Sequence, residues 1–190
     1  MDCPAGITRQ GALELLHQYV KNENMIRHCL ASEVVLRALA RRFGEDEELW
    51  GLAGLLHDLD VEITQGDLSV HGLRSVEILT AAGVAPAIVD AVKMHNEKAH
   101  GTTRTERFHK ALAAGESITG LITATTLVYP DKKLASVKPA SVVKRMKEKA
   151  FAASVDRDII RECEQVGIPL AEFAALAVDA MRTIAPDLGL

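Results

Sequence analysis

Aromatic residues are scarce in this chain, at 4% of 190 positions, and Ala and Leu fill most of the apolar sites in a composition that is 48% hydrophobic. That mixture suits packed helices better than sheets, whose strands draw on aromatic and β-branched side chains. Cysteine is scarcer still. Cys3, Cys29 and Cys163 are odd in number, scattered and without Cys-x-x-Cys spacing, which argues against a disulfide framework and a Cys-rich structural zinc site and for a reducing, cytoplasmic setting. No uncharged apolar run approaches the roughly 18 residues of a membrane span, so no membrane partner is expected. The opening MDCPAGITRQ has no basic region followed by an apolar stretch, and a signal peptide is not expected. Period-2 alternation, internal repeats and low-complexity tracts are also missing. The expectation is an all-α bundle with additional C-terminal helices: a helical core over residues 1–130 and a helical extension over 131–190, packed as one unit.

A broad basic face is missing as well. The net charge is −4, yet residues 131–149 hold seven Lys/Arg against two Asp/Glu, a local +5 that leaves −9 on the rest. Such a segment suits a small anionic ligand or a solvated helix face, and extended nucleic acid is not expected as a partner. Oligomeric state is not legible.

The helices announce themselves through caps and stripes. Thr8 is placed to cap a helix carrying Leu13, Leu16 and Val20. A second runs from Asn24 to a stop at Gly44, with His28 one turn inside its start. Asp46 caps a third, through Leu52, Leu55 and Leu56, that delivers His57. Residues 60–69 read as a loop, and Ser69 or His71 opens a helix ending before Gly83. Pro86 suits the first position of a helix reaching His95. After a polar loop at 96–104, a long helix spans Thr105 to about Val128 and carries Glu116. Pro139 opens another, the next ends at Gly167, and the last runs from Pro169 to about Ala185.

Within this frame one ordered series stands out: His28, His57-Asp58, His71, His95 and Glu116. Imidazoles and carboxylates together suit a first-row divalent ion. His28, His57, Asp58 and Glu116 can supply the ligands of one metal; His71 and His95, with Asp58 bridging, can hold a second. Two such ions polarise a phosphoryl oxygen and activate water near neutral pH. His17, His100 and His109 fall outside the series and read as surface or loop residues. Cys29 reads as a small packed residue and Trp50 as core; Met94, Met146 and Met181 form no cofactor box.

The order His…His-Asp…His…His…acid, with Leu-Leu-His57-Asp58 and His71-Gly72, resembles the HD superfamily of metal-dependent phosphohydrolases, and small HDIG-type proteins in particular. The likeness extends through TGLITATTLVYPDKKL (119–134) and KRMKEKAFAASVDR (144–157). It implies an HD-domain helical bundle, one or two divalent ions (Mn, Fe, Co, Ni, Zn or Mg), and hydrolysis of a nucleotide or other small phosphate ester. By position, His28, His57 and Asp58 match the shared ligands, and His71 and His95 the pair of dinuclear members. Two departures are visible. Glu116 stands where Asp is usual, moving the oxygens by up to roughly one carbon–carbon bond, about 1.5 Å; Leu59-Asp60 replaces Ile-Gly.

Further residues complete the expectation. Asp60 and Glu62 resemble in position the acids that some HD hydrolases place near the scissile phosphate, joining Asp58 as candidate catalytic groups. Lys144, Lys147 and Arg157 are candidates for binding substrate phosphate. Two other functions fit the same residues: a non-catalytic metal- or nucleotide-binding regulatory module, and a dinuclear iron oxygenase.

Overall fold

Side-chain caps set the starts of four helices, at Thr8, Asn22, Asp46 and Asp156. The computed structural model describes residues 4–190, so Cys3 lies outside the described residues. Helix α1 (Arg9–Tyr19) is capped by the Thr8 hydroxyl, which accepts from Gly11 N–H. Asn22 caps α2 (Glu23–Phe43), and Gly44 ends it with a φ of 72°, in the left-handed region that glycine adopts without steric cost. Asp46 caps α3 (Glu47–Leu56). Next come α4 (Leu73–Ala81), α5 (Pro86–Met94) with proline in its first turn, and α6 (Arg107–Leu127). The chain finishes with α7 (Pro139–Arg145), α8 (Arg157–Gln165), α9 (Leu170–Arg182) and the short α10 (Ala185–Leu188). The described residues are all-helical, with no strand among them.

Some boundaries differ from the sequence reading. Helix α4 begins at Leu73, not at Ser69 or His71, because Gly72 adopts a φ of 93° and turns the chain just before it. The stretch from 58 to 72 is a series of tight turns in place of an open loop. Helix α6 starts at Arg107, two residues later than expected, and no side chain caps it.

Helix α3 is buried along its last seven residues, from Trp50 to Leu56. Gly54 makes its approach to α2 possible: a Cβ there would lie 2.7 Å from the Ser32 carbonyl oxygen, a backbone atom that cannot yield. This contact brings the C-terminal end of α3 beside the first turns of α2, hence His57 beside His28. Helix α6 packs against α2, and α8 and α9 pack against α6. Leu134, Ile160, Phe173 and Val178 from the C-terminal segment are buried in the same cluster as Leu36, Leu55 and Ile118, so residues 131–190 contribute to the same core as residues 4–130.

Candidate metal centre

Five elements aim side chains at one point. His28 comes from α2, His57-Asp58 from the end of α3, His71 from the turn before α4, His95 from the end of α5 and Glu116 from mid-α6. Gly72 helps these meet, since a Cβ there would press on the His95 ring at 3.3 Å.

The ring orientations are fixed from behind. His57 Nδ1 lies 2.8 Å from the Gly54 carbonyl oxygen, and His95 Nδ1 is hydrogen-bonded to the Val92 carbonyl. A carbonyl only accepts, so both Nδ1 atoms donate. His28 Nδ1 lies 3.0 Å from Thr119 Oγ1, whose own proton goes to the Glu116 carbonyl, so here too the ring donates. In each neutral ring the remaining nitrogen, Nε2, carries a lone pair, and all of these face inward. His28 Nε2 is 3.1 Å from His57 Nε2, and His95 Nε2 is 3.0 Å from His71 Nε2. Lone pairs this close repel unless a cation or a proton lies between them.

Asp58 occupies the centre. Its Oδ1 is 3.0 Å from His71 Nε2 and 3.4 Å from His57 Nε2, and its Oδ2 is 3.6 Å from His28 Nε2. Two ligand groups result, His28–His57–Asp58 and Asp58–His71–His95, the atoms of each within 4.8 Å of one another. Glu116 borders the first group, with Oε2 3.7 Å from His28 Nε2 and Oε1 accepting from Ser117 Oγ at 2.6 Å. Neutral nitrogens backed by fixed donors and sharing a carboxylate fit divalent metal ions by donor type.

Protonation follows the same geometry. Burial pushes His28 down to about 4 and His95 down to about 3, keeping both rings neutral. Burial would also lower His71, but Asp58 and Asp60 on either side carry it up to about 10. For Asp58 burial acts upward, yet His57, His71 and His28 hold it well below the usual carboxylate range. Burial raises Glu116 to about 8, with Asp58 adding to the rise and Ser117 opposing it. Near neutral pH, then, His71 and Glu116 hold protons that a divalent ion must displace. Metal affinity is therefore expected to rise with pH, by about tenfold per pH unit for each proton displaced. Calorimetric Mn²⁺ titrations at three pH values between 6.5 and 8.5 measure the slope; a flat response would contradict this assignment of the protons.

Several candidate residues are placed elsewhere. Asp60 is 0% exposed. Its Oδ2 accepts from the N–H groups of Gly72, Arg74 and Ser75, and its Oδ1 lies 2.8 Å from His71 Nδ1. It positions His71 and the start of α4. Glu62 faces away at the surface and accepts from the N–H groups of Lys21 and Asn22. A cavity of about 310 Å³ lies over the histidines, and neither Lys144, Lys147 nor Arg157 lines it. Arg157 instead donates to the carbonyls of Ala152 and Val155 at 2.6 Å, clamping the loop that forms one cavity wall.

The cation that does line the cavity is Lys98, which the sequence reading missed. The signal for it was slight, a lysine three residues past His95 in a polar loop. Asn96 fixes this lip, donating to the carbonyls of Leu68 and His71 and accepting from Lys98 N–H. His109 is also a correction. It is 5% exposed, with Nε2 2.9 Å from Asp90 Oδ2, because its face of α6 packs against α5.

Comparison with known proteins gives the following. A family model, HD domain, matches residues 25–146. Ribonuclease Y of Bacillus thuringiensis (strain Al Hakam) is 26% identical over 170 residues, covering 87% of this chain and 32% of that protein. Ribonuclease Y of Bacillus cereus (strain ZK / E33L) matches with the same figures. A tRNA (cytidine(56)-2'-O)-methyltransferase of Thermoplasma volcanium is 29% identical over 86 residues, 45% of this chain and 25% of its own length. The chain thus spans at most 32% of the length of these relatives. No solved structure matches.

Proposed function

Since the chain belongs to the HD domain family, we propose that it is a metal-dependent phosphohydrolase acting on a nucleotide or other small phosphate ester. The observation that carries this reading is the convergence of four imidazoles on one buried carboxylate, at the floor of a cavity whose mouth holds an ammonium group. The relatives named ribonuclease point the same way, toward phosphate-ester chemistry.

His28, His57 and Asp58 would hold one ion, and Asp58, His71 and His95 a second, with Glu116 beside the first. Divalent ions there supply Lewis acidity, polarising a phosphoryl oxygen and making water a stronger nucleophile near neutral pH. The chain's own residues do the rest. Neutral His28 and His95 keep their Nε2 lone pairs free, and Asp60 fixes the His71 ring. Lys98 offers an ammonium to the phosphate oxygens at the mouth, while Leu68, Val155 and Ile159 give that mouth an apolar wall. In the reaction the water oxygen bonds to phosphorus and one P–O ester bond breaks. The departing alcohol takes up the proton that water gives up.

Loading the protein in turn with Mn²⁺, Co²⁺, Ni²⁺ and Mg²⁺ and measuring phosphate or nucleoside release tests the reading. Turnover is expected with at least one ion and should vanish in His57→Ala. Confirmed metal with no turnover across a broad phosphoester panel would overturn it.

A further inference from the structure

The four inward-facing rings are held by different means. His57, His71 and His95 have side chains only 1%, 9% and 5% exposed, so close packing leaves them little room to turn. The His28 side chain is 21% exposed and lines the cavity. Packing confines it less, and its direction depends on what bonds Nδ1. That partner is Thr119 Oγ1, 3.0 Å away on α6.

Thr119 lies outside the ordered ligand series and is 1% exposed. Three residues after Glu116, it returns its proton to the Glu116 carbonyl at 2.7 Å, the bond to the preceding turn that a helical threonine can make. A hydroxyl has one proton and two lone pairs. With the proton spent inside α6, only lone pairs face His28. The ring must then carry a proton on Nδ1 and turn Nε2 toward His57 and Asp58, at 3.1 and 3.6 Å. The other rings have supporters of another kind. His57 and His95 bond to backbone carbonyls, which any residue supplies, and His71 to the Asp60 carboxylate. Thr119 thus serves the first ligand group alone, the group that Glu116 borders from the same turn of α6.

We infer that Thr119 is a positioning residue: its hydroxyl fixes the tautomer and direction of His28 and so sets the affinity of the first ion independently of the second. This rests on the metal-dependent reading and deepens it. A supporter of a metal-binding imidazole is worth about 10–100-fold in affinity. Thr119→Val keeps the shape of the side chain but strands the Nδ1 proton. The ring is then free to turn, or to carry its proton on Nε2, where it blocks a metal. Thr119→Ser keeps the hydroxyl.

Calorimetric titration with Mn²⁺ at a single pH tests this. Thr119→Val should weaken one binding step by about 10–100-fold and leave the other within about threefold, while Thr119→Ser should stay within about threefold of the parent in both. His95→Ala, which removes a ligand of the second group, identifies the steps: the one it abolishes should be the one that Thr119→Val spares. Unchanged affinities in Thr119→Val, both steps falling together, or a loss in Thr119→Ser as large as in Thr119→Val would overturn the proposal. A metal-free arm needs no variant of Thr119. Long-range ¹H–¹⁵N correlation spectra of the parent in chelator, with the His28 signals identified by their loss in His28→Gln, should show a proton on Nδ1. A bare Nδ1 with the proton on Nε2 also overturns it. If Nδ1 carries the proton and no divalent ion binds, the phosphohydrolase reading fails and the hold of Thr119 on His28 stands.

Discussion

Asp58→Asn is expected to empty the centre of metal while leaving the fold intact, and to lower turnover by at least about a thousandfold, equivalent to roughly 4 kcal/mol of barrier. Losing a group that merely supports a ligand costs about 10–100-fold, and Asp58 is the ligand common to both metal groups. The substitution keeps volume and one oxygen. Its new NH2 can donate to the Nε2 atoms that surround it, so no buried donor is stranded. Stability separates metal loss from misfolding. An ion at a hundred times its Kd adds about 2.7 kcal/mol to the native state, and for a chain of this size that raises Tm by about 5–10 °C. Mn²⁺ should produce this shift in the parent protein and none in Asp58→Asn, whose Tm in chelator should stay near the parent's. A variant that retained metal and a tenth of the activity would show that Asp58 is not the shared ligand.

The sequence was most legible where a local signal decides the structure. Thr8, Asn22, Asp46, Pro86 and Gly44 mark helix ends because a cap or a turn involves neighbours within a few positions. The ligand series was legible for another reason. His28, His57, Asp58, His71 and His95 are chemically distinctive and sit at the ends or inner faces of apolar helices, so helical packing alone brings them close. The surroundings of Asp60 are not legible, because its partners include backbone N–H groups at positions 72, 74 and 75. Backbone donors exist at nearly every position, and sequence does not show which a carboxylate will find. Lys144 and Lys147 show the opposite situation. A charge run suggested a phosphate site, yet it lies on an exposed face, while the cavity draws its cation from Lys98 in the loop after His95. Burial decided His109: its face of α6 packs against α5, a contact set by the fold and not by the residues beside it.

The longer acid at position 116 has a structural counterpart. Glu116 reaches from mid-α6 to within 3.7 Å of His28 Nε2, so the additional methylene still leaves an oxygen at the edge of the cluster. Its other oxygen is held by Ser117. The side chain is buried enough to keep a proton near neutral pH, and its carboxylate form is favoured when a divalent ion is near. A longer acid at this position thus borders the first ligand group.

A second large effect is expected at Arg104, far from any motif. Its side chain is 4% exposed and forms a fork: Nε and Nη2 donate to the two oxygens of Glu162 on α8 at 3.0 and 2.6 Å. Nη1 donates to the carbonyls of Met94 and His95, the last groups of α5, at 3.1 and 2.9 Å. One guanidinium thus ends the helix that delivers His95 and ties it to the helix whose Ile159 and capping Asp156 line the cavity. Arg104→Ala removes these bonds together and leaves a mostly buried carboxylate and two carbonyls without their donor. The expected cost is about 3–5 kcal/mol. In urea with chelator present, so that metal binding adds nothing, the midpoint should fall by on the order of 1–2 M. Arg104→Lys keeps the charge but not the fork, and should recover only part of the loss. Because the His95 carbonyl is freed, Mn²⁺ affinity should also weaken, by about 10–100-fold. A midpoint within about 0.3 M of the parent's, roughly the spread of a surface substitution, would show that α5 and α8 are held by apolar packing and that Arg104 does not position His95.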